Sequence, residues 1–203
     1  MGSAAPVTID AATMAPLHLR AERCPAWWVL GNRYTFLIVA EDSAGVFSLA
    51  EIVVPPRRGT PLHTHRREDE TFHVIEGEVE FTAGGQTFHA QPGSVVFGPR
   101  GVPHSFCNVG DLNARMLCVA TPGGLERFFT EAGVPASDRT SVPPAPTPED
   151  IERLRQAAPN HGIEAHDPCA GEPAGSLPLF RPRHIGSSKP VRALTEGGKG
   201  PVG

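Results

Sequence analysis

Between Trp27 and Thr121 the chain never runs far without a turn signal, and that punctuation limits the fold more than any other feature of the sequence. Short runs rich in Val, Ile, Phe and Thr follow one another: Tyr34 to Ala40, Val46 to Val54, Thr71 to Ile75, Glu78 to Thr82, Gln86 to Ala90, Ser94 to Phe97, His104 to Asn108 and Arg115 to Ala120. Evenly spaced short strands without intervening helical segments predict an all-β antiparallel sandwich or barrel and exclude a parallel sheet. The breaks at Glu76-Gly77, Gly84-Gly85, Pro92-Gly93, Arg100-Gly101 and Val109-Gly110 each offer a Gly where positive φ costs least.

Flanking segments read differently. Residues 1–26 lack periodicity and are expected to form an arm or lead-in strand, with the barrel over 27–135 and a Pro/Gly-rich extension over 136–203. Leu125, Phe128 and Phe129 at i, i+3 and i+4 predict a short helix over Leu125 to Ala132. After a Pro-rich linker from Val142 to Pro148, a second helix is expected over Glu149 to Ala158, with Thr147 as cap and Pro148 at its first position. Beyond Pro159 large apolar residues are scarce, so mostly irregular chain is expected, draped over a neighbour. A length of 203 residues suits one domain with tails.

Charge and cysteine content narrow the partners. Eighteen basic against 22 acidic side chains give a net charge of -4, with no basic block to track nucleic acid or an anionic membrane. No stretch approaches the ~20 apolar residues of a membrane span. The spacing of Cys24, Cys107, Cys118 and Cys169 is not that of a disulfide scaffold, so reduced thiols and a cytoplasmic location are expected. The open edge of a small β-sandwich is a liability that pairing covers, so a homodimer through the lead-in strands is expected.

The chemistry concentrates between Pro61 and Gly77. In a strand, His63 and His65 face the same way, and Glu70, after the charged loop Arg66 to Asp69, begins the next strand where its carboxylate can meet them. His104 follows Pro99-Arg-Gly-Val-Pro, a rigid turn that presents it at the mouth of a later strand. Three imidazoles and a carboxylate make a mixed nitrogen and oxygen set suited to one divalent transition metal, Fe, Mn, Ni, Co, Cu or Zn, with positions left for water or substrate. A His-x-His pair alone is weak evidence, since alternating histidines also occur on ordinary exposed strands.

Together these residues resemble the two motifs of the cupin superfamily. His63, His65, Glu70 and Gly77 fit the first in order and spacing, and Gly93, Pro99, Gly101, His104 and Asn108 resemble the second. Arg57 stands where the first motif opens with Gly, with Gly59 nearby, and Pro99 to Gly101 is one residue short of the pattern. The resemblance covers about residues 27 to 130. It implies a single cupin barrel of the double-stranded β-helix, or jelly-roll, type with one or two short C-terminal helices.

Glu70-Thr-Phe-His-Val-Ile-Glu-Gly77 and Thr121-Pro-Gly-Gly-Leu-Glu-Arg-Phe-Phe129 look most like monocupins related to quercetin 2,3-dioxygenase. That resemblance implies metal-assisted dioxygenase chemistry on an enolisable or aromatic small molecule of flavonol or polyphenol type, with dioxygen as co-substrate and Glu70 as general base. A non-redox isomerase, cyclase or lyase working through an enolate uses the same residues, and a non-enzymatic binding cupin is the third reading.

Other residues carry plainer expectations. Glu68 and Asp69 read as solvated loop charges, and His73 and His89 as surface or interface histidines. His161, His166 and His184 lie in the tail and are not expected to be ligands. Phe72 and Phe106, two residues after Glu70 and His104, point into the same interior and serve either as substrate walls or as core filling. Trp27 and Trp28 read as packing residues, and Asn108 as a turn former.

Overall fold

The structure, a computed structural model, describes residues 15–138 and 145–166. Residues 1–14 of the expected arm, 139–144, which take in the first part of the linker, and 167–203 of the extension, with Cys169 and His184, lie outside the described residues. The chain forms β1 (Ala26–Val29), β2 (Asn32–Ile38), β3 (Ser48–Val54), β4 (His63–His65), β5 (Asp69–Glu76) and β6 (Val79–Ala83), with burial alternating along β3. The chain continues through β7 (Gln86–Ala90), β8 (Val95–Gly98), β9 (His104–Asn108) and β10 (Ala114–Thr121). Then come α1 (Leu125–Ala132), β11 (Val134–Pro135), α2 (Pro148–Ala157) and β12 (Ile163–Ala165).

The strands form two antiparallel sheets, ordered β11-β1-β2-β3-β10-β5-β8 and β12-β4-β9-β6-β7. They face each other as a jelly-roll sandwich and do not close into one continuous cylinder. The strict alternation of burial along β3 and β10 shows why: each presents one apolar face to the opposite sheet. Phe72 of β5 meets Phe81 of β6 and Phe106 of β9 with ring centroids 5.2 and 5.8 Å away, joining the sheets. Burying each ring contributes about 1.5–3 kcal/mol, so this trio fixes the gap in which the site sits.

Five of the turn glycines, Gly77, Gly84, Gly85, Gly93 and Gly101, have positive φ as expected. Gly110 does not; there the Asn108 side chain makes the turn, its Oδ1 accepting from Gly110 N at 3.0 Å while its Nδ2 donates to Val54 O and Leu112 O. Arg57 takes the left-handed φ of 61° that a Gly would supply, and its guanidinium donates to Val109 O and Asp111. Gly59 meets a different need, because a Cβ there would lie 1.9 Å from Phe106 O.

Both helices form where the pattern placed them. α2 starts with the expected Thr147 cap, and Asp150 completes a capping box by accepting from Thr147 N at 2.9 Å. Among the described residues no helix is long and apolar enough to cross a membrane, and Cys24, Cys107 and Cys118 are free and buried. The stretch expected to be irregular beyond Pro159 contains β12, which pairs Ile163 with His65 and Ala165 with His63. Three residues with one buried side chain are too short a run to show periodicity, so the sequence did not betray this strand.

Candidate metal centre

β4 turns His63 and His65 inward, and its pairing with β9 sets His63 directly opposite His104. The facing sheet supplies Glu70 from the first turns of β5, so the four side chains meet between the two sheets. Their ligand atoms all lie within 4.8 Å of one another. Donors bound to one ion at about 2.0–2.2 Å stay within about 4.4 Å, so the set is a few tenths of an ångström from a closed shell.

Two of the three imidazoles have their other nitrogen hydrogen-bonded, and the third faces a carboxylate. His63 Nδ1 donates to Pro61 O at 2.9 Å and His104 Nδ1 to Val102 O at 3.0 Å, two carbonyls that can only accept. His65 Nδ1 lies 3.5 Å from Glu68 Oε2, and neither atom has another partner. These contacts leave the three Nε2 atoms for a common guest, the orienting arrangement typical of metal-binding histidines. Glu70 Oε2 sits 3.1 Å from His65 Nε2 and 2.8 Å from His104 Nε2, while Cys118 Sγ donates to Glu70 Oε1 at 3.3 Å. The donor set therefore fits a divalent cation and could hold one.

The charges agree with that geometry. Burial would raise the Glu70 pKa, but His65 and His104 outweigh it and hold the carboxyl well below its ordinary 4.5. Burial likewise works against a charge on His65, yet the carboxylates of Glu70 and Glu68 raise its pKa to about 10. His63, with burial and then two neighbouring imidazoles against it, drops to about 3. Burial and Glu70 push the Cys118 thiol well above its ordinary 9.0, so it stays a hydrogen donor.

One expectation is overturned here: Glu68 is no solvated loop charge but is buried at 7% exposure against His65. Asp69 is tied to Arg100 at 2.7 Å, which lowers its pKa to about 2. His73 and His89 are exposed, away from the cluster. His161 pairs with Glu131 and packs on Phe128, and His166 Nε2 meets Thr64 Oγ1 at 2.7 Å, so neither joins the cluster. Trp27 packs on Phe36, a structural contact.

A cavity with about 50 Å³ open to the centres of water molecules adjoins His63, His65 and Glu70. Phe72 and Phe106 line it, with Asn32 and Tyr34 of β2 and, from the C-terminal segment, Leu154, Ala158 and Ile163. The polar pair on β2, Cys118 on β10 and the C-terminal wall were not singled out from the sequence. They reach the site from distant parts of the chain, as Cys118 does to Glu70 from 48 positions away, and no local pattern marks such contacts.

Comparison with known proteins agrees with this architecture. A family described as "Cupin domain" matches residues 50–120. The chain is similar to quercetin 2,3-dioxygenase of Bacillus subtilis, 32% identical over 73 residues, which are 36% of this chain and 21% of that protein. It is similar to polyketide synthase CurC of Streptomyces cyaneus, 30% identical over 105 residues, 50% of this chain and 67% of that protein. The crystal structure of a predicted oxalate decarboxylase from Thermotoga maritima superposes with a TM-score of 0.50 at 23% identity, covering 52% of this chain and 99% of that one, a likeness of fold. The chain spans about a fifth of the dioxygenase's length and 60% of another curated relative's.

Proposed function

The chain belongs to the cupin superfamily, and we propose that it is a metal-dependent enzyme whose centre is His63, His65, Glu70 and His104, acting as a dioxygenase on a small enolisable molecule. The observation that carries this reading is the convergence of the four side chains within 4.8 Å beside a cavity, with the Nδ1 atoms of His63 and His104 hydrogen-bonded to backbone carbonyls and that of His65 facing Glu68.

A divalent transition metal held there would supply Lewis acidity that lowers the pKa of a substrate hydroxyl or enol. The protein's own groups do the rest. Glu70, ionised at neutral pH, accepts the proton through a carboxylate oxygen at the cavity, while Cys118 steadies the other oxygen. Phe72 and Phe106 form apolar walls that hold a flat ring and keep water from the resulting anion.

The relative named for polyketide synthesis favours a second reading, an isomerase or cyclase that stabilises an enolate without consuming oxygen. Both readings ask for an enolisable carbonyl, and both predict one metal per chain. Elemental analysis of protein purified without added metal, followed by oxygen-electrode assays of the metal-loaded chain with β-diketones, hydroxypyranones and polyphenols, separates them. Oxygen uptake supports the dioxygenase, and turnover under argon supports the isomerase or cyclase. A protein that takes up no transition metal defeats both.

A further inference from the structure

On the strand next to β1, Asn32 is fully buried at 0% exposure and lines the same cavity as His63, His65 and Glu70. Its carboxamide is not free to turn. Nδ2 donates to Gly59 O at 2.8 Å, and Gly59 is itself pressed so closely on the backbone of Phe106 that a Cβ would not fit. Reversing the amide would set its oxygen against that carbonyl, two acceptors face to face, so the assignment of oxygen and nitrogen follows from the chemistry.

That leaves Asn32 Oδ1 buried, fixed and without a hydrogen-bond partner. An unpaired acceptor in an apolar setting carries a desolvation cost that a partner donor would relieve. The cavity around it is largely aromatic and aliphatic, and the Thr60 hydroxyl, which accepts from Phe106 N, makes no hydrogen bond to Asn32. Tyr34, the next inward residue on β2, has its pKa raised by burial and by Glu70 against a smaller lowering by the Asn32 amide, which acts on it as a donor, so it remains a neutral phenol and adds no charge to compete for a ligand.

We propose that Asn32 is the specificity-determining residue of this pocket: its Oδ1 accepts a hydrogen bond from a hydroxyl of the substrate, one separate from the enol oxygen that lies against His63, His65, Glu70 and His104. The inference rests on the enolisable-substrate reading above and adds that the substrate carries a second O–H donor. An analogue lacking that donor leaves Oδ1 unpaired and is disfavoured, the usual way a buried polar group discriminates.

The test uses two ring compounds that share one hydroxypyranone group and differ by one hydroxyl: kojic acid, and its analogue 5-hydroxy-2-methyl-4-pyranone. Dissociation constants are measured by calorimetry on the metal-loaded full chain, on Asn32→Leu, and on Asn32→Asp, whose carboxylic acid can donate to Gly59 O and still offer an acceptor. Wild type should prefer kojic acid by about tenfold or more, Asn32→Leu should lose that preference with metal content intact, and Asn32→Asp should retain much of it. Equal affinity of wild type for both compounds, or an undiminished preference in Asn32→Leu, overturns the role of Asn32 while the enolisable-substrate reading stands. If neither compound binds the metal-loaded protein, that reading falls and this one with it. Should Asn32→Leu fail to fold, the wild-type ratio and the Asn32→Asp ratio still decide, because loss of preference in the aspartate variant contradicts acceptance by this oxygen.

Discussion

Arg66 and Glu164 are joined by two parallel hydrogen bonds, Nε to Oε1 and Nη2 to Oε2, both 2.6 Å. Arg66 follows His65 directly, and Glu164 is the middle residue of β12, so the C-terminal segment is clasped to the strand that carries two of the candidate ligands. Leu154, Ala158 and Ile163, brought in by the same segment, form part of the cavity wall. The tail thereby sets the size of the site.

The clasp is exposed, with 56% and 47% of the two side chains open to solvent, so it serves local closure rather than global stability. Glu164→Ala should leave the melting temperature nearly unmoved. It should speed amide exchange at Arg66 and His166, whose N–H groups donate to Gly162 O and Leu62 O, both at 2.9 Å. Unchanged exchange by mass spectrometry would mean that the packing of Ile163 alone holds the segment down.

How far the sequence reveals this arrangement depends on the range of each contact. β3, β5 and β10 were legible because alternation is written into neighbouring residues, and the four clustered side chains were legible because three lie within eight positions and the fourth follows a rigid turn. Glu68 was misread because its neighbours Arg66, Arg67 and Asp69 make the loop look solvated, when the turn folds one of its charges under His65. Asn32 gave no signal, since its partner Gly59 is 27 residues away and its role follows from where the strands cross.

Gly59 tests that long-range packing. Gly59→Ala puts a methyl carbon 1.9 Å from Phe106 O and 2.8 Å from Cys107 Cα, backbone atoms that cannot rotate aside. The loop must move, taking the anchor of Asn32 with it. A loss of about 2 kcal/mol or more is expected in chemical denaturation, beyond the few tenths of an ordinary surface change. A variant as stable as wild type would show that the 57–60 segment yields freely.

Glu68 is expected to act on the metal through His65. Glu68→Gln removes the charge facing His65 Nδ1 while keeping the volume, so metal affinity measured by chelator competition should fall by about 10–100-fold. His63→Ala and His104→Ala, which delete Nε2 donors outright, should lose more. Equal affinity in Glu68→Gln and wild type would leave Glu68 a packing residue.

The metal-free protein should be most stable in a defined pH window. His65 has its folded pKa raised to about 10 from 6.5, so its contribution is complete below about 6.5 and is lost as pH rises toward 10. Glu70 is depressed below 4.5, so its contribution is present above that value and is lost as pH falls through its folded pKa. His63, lowered to about 3, stays neutral while the unfolded chain takes up a proton below about 6.5, so melting temperatures of the metal-free chain should peak near pH 6.5 and decline on both sides. At pH 7 a cation must displace the proton on His65, so calorimetry in buffers of different ionisation heat should record about one proton released per ion. No release would mean that His65 is already neutral.

Glu70 has two proposed roles, ligand and proton acceptor, and Glu70→Gln separates them. The amide oxygen can still approach a cation, and the Nδ1 contacts of His63 and His104 with their carbonyls and of His65 with Glu68 do not depend on Glu70, so much of the metal should remain. The amide cannot take a proton at neutral pH, and turnover of whichever enolisable compound proves active should fall by about 10²–10⁴-fold, the usual worth of a general base. Cys118, whose thiol donates to Glu70 Oε1, loses a charged acceptor in this variant, and Cys118→Ala supplies the control: a smaller fall in turnover with metal unchanged. If Glu70→Gln loses its metal altogether, the carboxylate is chiefly a ligand. If it turns over normally at full metal occupancy, the proton goes elsewhere and Glu70 is not the base.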